Sequence, residues 1–112
     1  MTTDAAIKAA LTMLPVYPNY YTGEDLEYIV YNYTALPQVY AERLPAAARY
    51  LVQVHLYLPH KKNPNALKVQ ISRALSDNGF TWPSITNGSD GDGQHYVFEC
   101  EYVNAGGVYA ET

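Results

Sequence analysis

A chain of 112 residues is long enough for one modest core, so a single domain spanning residues 1–112 is expected. Apolar residues make up 48% of it, which excludes bulk disorder. The net charge is −4 and the longest basic run is Lys61-Lys62, so the electrostatic footprint of a nucleic-acid binder is absent.

No stretch approaches the ~20 apolar residues that a membrane span requires. Met1 to Leu14 lacks the basic start and apolar run of a secretory signal. The single cysteine, Cys100, excludes an intrachain disulfide and fits a reducing compartment. The expectation is a protein made in the cytoplasm. Tyrosine is the compositional outlier, with 12 Tyr against 2 Phe and 1 Trp. Its ring packs while its hydroxyl keeps a polar partner, which suits both strands and subunit interfaces.

In chain order, Thr2-Thr3-Asp4 offers side-chain oxygens for a helix N-cap. Ile7, Ala10, Leu11 and Leu14 recur at helical spacing, and Pro15 ends the pattern. A first helix over Asp4 to Met13 is predicted. Val16 to Tyr21 contains Pro18 and reads as a linker or a short edge strand. Thr22-Gly23-Glu24-Asp25 is a turn. The stretch Leu26-Glu27-Tyr28-Ile29-Val30-Tyr31-Asn32-Tyr33-Thr34 follows, rich in β-branched and aromatic residues. A strand from Glu27 to Ala35 would be apolar on both faces, with Leu26, Tyr28 and Val30 on one and Ile29, Tyr31 and Tyr33 on the other.

Leu36 to Ala48 carries Pro37 and Pro45, which argue against a continuous central strand and for a projecting flap. Arg49 to Leu58 shows strict alternation: Tyr50, Val52, Val54, Leu56 and Leu58 share one face, and Gln53 and His55 lie on the other. Asn63-Pro64 opens a second helix, from Pro64 to Asp77, whose buried side is Leu67, Ile71, Ala74 and Leu75. Asn78-Gly79 stops it. Phe80 to Thr86 is short and extended, and Asn87 to Gly93 is a turn. The last strand, Gln94 to Val103, puts Tyr96, Phe98, Cys100 and Tyr102 on one face and His95, Val97, Glu99 and Glu101 on the other. Residues 104–112 read as a loose tail. The predicted class is α+β: a small mixed or antiparallel sheet of about four strands with two helices packed on one face, in the order α-β-β-α-β-β.

No stretch presents a catalytic or cofactor motif. Asn87 to Gly93 imitates a calcium loop, but the twelfth position counted from Asn87 is Phe98, where a bidentate Glu is required. Asp90 and Asp92 therefore read as turn residues. His55 and His95 would approach each other only if their strands were neighbours, and then Glu99 or Glu101 could join them around a metal. Surface histidines are the favoured reading, and no metal site is expected. Cys100 falls on the apolar side, opposite in parity to His95, and reads as a buried small hydrophobe. Glu24, Asp25 and Glu27 read as a solvated edge rather than catalytic carboxylates.

The segment Tyr21-Thr22-Gly23 through Tyr28-Ile29-Val30-Tyr31-Asn32 resembles the first strand of phage tail terminator, or tail completion, proteins of long-tailed phages. The strand Tyr50 to Leu58, the helix ending in Asn78-Gly79-Phe80 and the closing His95-Tyr96-Val97-Phe98-Glu99-Cys100 strand are similar too. The resemblance runs from Ile7 to Tyr102 and lies in element order and pattern, not in an invariant signature. Residues 36–48 are more proline-rich than the family pattern, and 104–112 have no counterpart in it.

The resemblance implies a structural subunit that assembles into a ring, often a hexamer. The ring would cap the tail tube and join it to the head connector, with no catalytic or cofactor residues. The protein would then be made in the host cytoplasm and end in the virion tail. On this reading Ile29, Tyr31 and Tyr33, with Val39, Tyr40 and Arg43 of the flap, would meet a neighbouring subunit. The alternatives are another head–tail joining or minor capsid component of the same fold, or a small ligand-binding α+β domain with a tyrosine-lined pocket under the flap.

Overall fold

A computed structural model describes the backbone of residues 2–41 and 44–104 and the side chains of residues 2–36 and 49–103. Its elements are α1 (Thr3–Ala10), β1 (Val16–Pro18), β2 (Tyr28–Ala41), β3 (Leu44–Leu58), α2 (Asn65–Asp77), β4 (Ser84–Asn87) and β5 (Gln94–Asn104). The class is α+β. The sheet has five strands, one more than expected, in the order β1-β2-β3-β5-β4. β1 runs parallel to β2, and every other pairing is antiparallel, so the sheet is mixed. The extra strand is the Val16–Pro18 piece, and its proline sits at the sheet edge, where a missing N–H leaves no ladder bond unmade.

Both helices lie on the same side of the sheet. Ala6, Ile7, Ala10 and Leu11 of α1 and Ile71 and Leu75 of α2 form one buried cluster with Ile29, Tyr31, Val52, Val54, Leu56, Phe98 and Cys100. The caps explain where the helices stop and start. Thr2 Oγ1 accepts the Ala5 N–H at 3.1 Å. At the end of α2, Phe80 N–H reaches Leu75 O at 3.0 Å and Gly79 N–H reaches Ser76 O at 3.4 Å. That Schellman closure needs the left-handed backbone of Gly79, φ +90°. α1 is shorter than predicted, ending at Ala10, because the cap at Leu11 already leaves helical geometry (φ −100°, ψ 84°).

Two expectations are corrected. The first concerns the flap. β2 continues to Ala41 and β3 begins at Leu44, with Pro37 opposite Ala48 and Tyr40 opposite Pro45. Residues 36–41 and 44–48 therefore belong to a long β-hairpin. Its ladder slips twice, between Pro37 and Val39 and between Val39 and Tyr40. The prolines are tolerated because, among the described residues, each stands where its strand is paired on one side only. β1 covers β2 only at Ile29–Tyr31, and β5 covers β3 only as far as Ala48. The hairpin makes the molecule elongated, 54 × 26 × 21 Å.

The second correction concerns which face of β2 is covered. Register places Ile29 beside Leu56, Tyr31 beside Val54 and Tyr33 beside Val52. The Ile29/Tyr31/Tyr33 side thus belongs to the helix-covered core, not to an unpartnered surface. Ile29 and Tyr31 are fully buried, and Tyr33 packs against the same cluster.

Candidate interaction face

The uncovered side of the sheet is built from the alternate residues of the same strands. β1 contributes Tyr17, and β2 contributes Tyr28, Val30, Asn32 and Thr34. β3 adds Leu51, Gln53, His55 and Tyr57, while β5 adds His95, Val97, Glu99 and Glu101. Neither helix reaches this side. At one end the aromatic side chains form a continuous ladder across the strands. Tyr17 stacks on Tyr21 with ring centroids 4.0 Å apart, Tyr21 lies 4.7 Å from Tyr28, and Tyr28 stacks on Tyr57 at 4.8 Å. Tyr57 then stacks on His95 at 4.4 Å, and His95 on His55 at 5.1 Å. Val30, in register between Tyr17 and His55, is buried beneath these rings.

The ladder is anchored at its outer end by the loop between β1 and β2. Tyr17 Oη donates to Asp25 Oδ2 at 2.6 Å, and the Asp25 N–H donates to Tyr21 Oη at 3.0 Å. The Tyr17 hydroxyl is held well above the ordinary phenol range, first by its bond to the Asp25 carboxylate and then by desolvation. Tyr21 lies across Gly23, where a Cβ would overlap the ring. Asp25 of the expected acidic edge is thus a tyrosine acceptor, and Glu27 meets Lys62 at 3.5 Å.

At the inner end, β3 and β5 are neighbours, and their register sets Tyr57 opposite His95 and His55 opposite Val97. The two histidines therefore stand diagonally, with His55 Nδ1 2.8 Å from His95 Nε2. His55 Nε2 lies 3.3 Å from the Asn32 side-chain amide. Both imidazoles are lowered from their ordinary value, chiefly by desolvation. His95 adds to the effect on His55, whereas Glu99 opposes it there and Asp90 opposes it at His95. The lowering favours the neutral form of both rings, in which one of the facing nitrogens donates to the other.

A shallow cleft of about 400 Å³ opens beside Tyr28, Tyr57 and His95, walled by Asp25, Leu26, Pro59, Asp90 and Asp92. Asp90 and Asp92 shape the adjoining turn: the Asp92 N–H donates to Asp90 Oδ1 at 2.8 Å, as turn residues do. Cys100 faces the other side of the sheet. Burial pushes its thiol up to about 12, so it is a protonated core residue and not a nucleophile for this face.

Of the residues expected at an interface, Ile29, Tyr31 and Tyr33 lie on the covered side of the sheet. Tyr31 Oη donates to Asp4 Oδ1 at 2.6 Å and Tyr33 Oη to Asp4 Oδ2 at 2.8 Å, tying β2 to the first turn of α1. Val39 and Tyr40 lie in the outer part of β2. Arg43 and the expected tail at 105–112 lie outside the described residues, whereas Asn104 is still part of β5. Sequence reasoning missed Tyr17, Tyr21 and Tyr57; it made the His55–His95 approach conditional on neighbouring strands, and β3 and β5 are neighbours. The one available signal was that Tyr57 and His55 share parity on the wet side of the best-defined strand.

No family model and no curated protein matches the chain. Among the described residues no helix is long and apolar enough to cross a membrane.

Proposed function

We propose that the protein is a non-catalytic structural subunit of a phage or prophage tail. It assembles into a ring at the head-proximal end and joins the tail tube to the head connector. The observation that carries this reading is the ladder of half-buried tyrosines on a sheet face that neither helix covers. Aromatic rings with polar tips are the residue type favoured where a surface alternates between water and a partner. The long β2–β3 hairpin supplies a second element able to reach a neighbouring subunit, as an arm extending past the last residue of β5. The family resemblance from Ile7 to Tyr102 supplies the identity of the assembly.

The test is assembly itself. Light scattering and native mass spectrometry across a concentration series should reveal a closed ring, alone or on addition of tail-tube protein, and Tyr57→Ala should abolish it. A chain that stays monomeric at high concentration and binds neither tail-tube nor connector protein overturns the proposal. The cleft of about 400 Å³ beside Tyr28, Tyr57 and His95 favours the second reading, a small ligand-binding domain. That reading predicts a small molecule bound by the monomer, with no partner protein.

A further inference from the structure

The sheet ends in two edges of different character. At one stands β1, whose Pro18 lacks the N–H that an added strand would use. At the other stands β4, Ser84-Ile85-Thr86-Asn87, paired with β5 on one side and, among the described residues, with no strand on the other. All of its residues are exposed. Apart from its brevity it has none of the features that protect a sheet edge: no charged side chain, no proline within it and no slip in its register. In a chain of net charge −4, the whole run from Pro83 to Ser89 is uncharged. Ile85 and, just before the strand, Trp82 bring exposed apolar surface to the same edge.

The register fixes which backbone groups look outward. Gly88 N–H donates to His95 O at 2.8 Å, across the β4–β5 ladder. Antiparallel strands alternate their bonding direction residue by residue. Gly88, Thr86 and Ser84 therefore turn their backbone groups toward β5, and Ile85 and Asn87 turn theirs away. The outward ladder is bounded at both ends. Pro83 has no N–H, and the Ser89 N–H is committed to Asn87 Oδ1 at 2.9 Å.

We infer that β4 is a self-association edge that takes a second copy of this chain, in an antiparallel two-fold pairing of β4 with β4. Two-fold symmetry leaves few registers. Ile85 opposite Ile85 sets Asn87 against Pro83, and Asn87 opposite Asn87 sets Ile85 against Ser89; each leaves a carbonyl without a donor. Ile85 opposite Asn87 satisfies the N–H and the C=O of both residues in both copies. Thr86 then lies against Thr86 across the axis on the open side of the sheet, a favourable cross-strand pair, and no like charges meet. An unrelated peptide could bond to the same groups, but a second copy also brings the same two end stops in matching positions. The two five-stranded sheets become one continuous sheet. The contact is short, so the dimer is weak and forms at high concentration. It does not depend on the ring reading, because the aromatic ladder takes no part in it.

Disulfide trapping in the full chain tests the register. The pairing sets the two Thr86 Cα atoms ~4.5 Å apart, within disulfide reach. It sets Ser84, an equally exposed neighbour on the same face, opposite Gly88 and too far from its own copy to bridge. Under mild oxidation Thr86→Cys should form a covalent dimer at least about tenfold faster than Ser84→Cys. Cys100, buried on the covered side, does not compete. Ile85→Pro removes an outward N–H without touching the β4–β5 bonds, and combined with Thr86→Cys it should slow trapping about tenfold or more. The comparison of Thr86→Cys with Ser84→Cys stands even where Ile85→Pro disturbs the fold. Sedimentation of Tyr57→Ala, freed of the proposed ring contact, should show a reversible monomer–dimer equilibrium below ~1 mM. Salt should strengthen it by screening the −4 charge of each copy. Equal trapping at Ser84 and Thr86, trapping undiminished by Ile85→Pro in a folded chain, or a strict monomer in sedimentation overturns the inference.

Discussion

The two faces of the sheet use the same residue type for different ends. On the helix side Tyr31 is 1% exposed, in register with Val54 within the core cluster, and its hydroxyl is given to a carboxylate on α1. On the open side Tyr28 and Tyr57 are half-buried, and the rings recorded against them are other aromatic side chains of the same face. The first arrangement is complete within one chain. The second is packed laterally, and among the described residues no layer lies above it. Tyrosine identity alone therefore says little about role, and what separates the two is whether a helix lies over the ring.

The contrast can be broken experimentally, and the largest effect should come from a thiol. Cys100 is on the covered side with its thiol raised from 9.0 to about 12, so at pH 8 it is protonated and shielded. A maleimide or disulfide reagent should label it only when the fold opens, at least on the order of a thousandfold more slowly than in denaturant. The sign of the pH effect follows. The raised thiol favours the fold below pH 9, and that contribution fades as pH climbs toward 12. Rapid labelling at pH 8 in a protein whose circular dichroism is native would place Cys100 on the wrong face.

Next in size is the core itself. Phe98→Ala should cost about 3–5 kcal/mol in denaturant unfolding, since the ring is fully buried between the helices and the sheet. Tyr31→Phe keeps the ring but removes the bond to the Asp4 side chain, for a loss of about 1.5–3 kcal/mol. The matching change on the open face, Tyr57→Phe, should stay within about 0.5 kcal/mol. Comparable losses in the two would mean that the open face is as closed as the covered one.

Tyr57→Ala removes its close stacking with Tyr28 and with His95, each worth about 0.5–1.5 kcal/mol, and the more distant pairing with His55 at 6.4 Å. Its monomer should remain folded while assembly is lost, which separates packing from partner binding. The smallest effect belongs to Lys62→Ala. Its pair with Glu27 spans 3.5 Å between half-exposed side chains, so the loss should be under about 1 kcal/mol and should shrink further in salt.

Much of this arrangement was legible before any coordinates. The alternation of β3 and β5 identified Val52, Val54, Leu56, Phe98 and Cys100 as core, because period-two burial is written directly into side-chain polarity. Gly79 marked the end of α2 for an equally local reason. β2 was different. With Tyr28 and Val30 on one side and Ile29, Tyr31 and Tyr33 on the other, only Asn32 and Thr34 further along mark its open face, and a slip of one residue exchanges the two sets. The hairpin was misread because proline propensity speaks against central strands, whereas among the described residues the strands at Pro37 and Pro45 are paired on one side only.

The sequence by itself determined the α+β class, both helices, the core faces of β3 and β5, and the lack of a recognisable catalytic motif. These follow from periodicity, caps and composition, which act over a few residues. Only the tertiary structure decided that Asp4 claims Tyr31 and Tyr33, that Tyr17, Tyr21, Tyr28 and Tyr57 line the opposite side, and that His55 meets His95. Those partners are separated by up to 40 positions along the chain. Strand order and register bring them together, and a chain read residue by residue does not contain either.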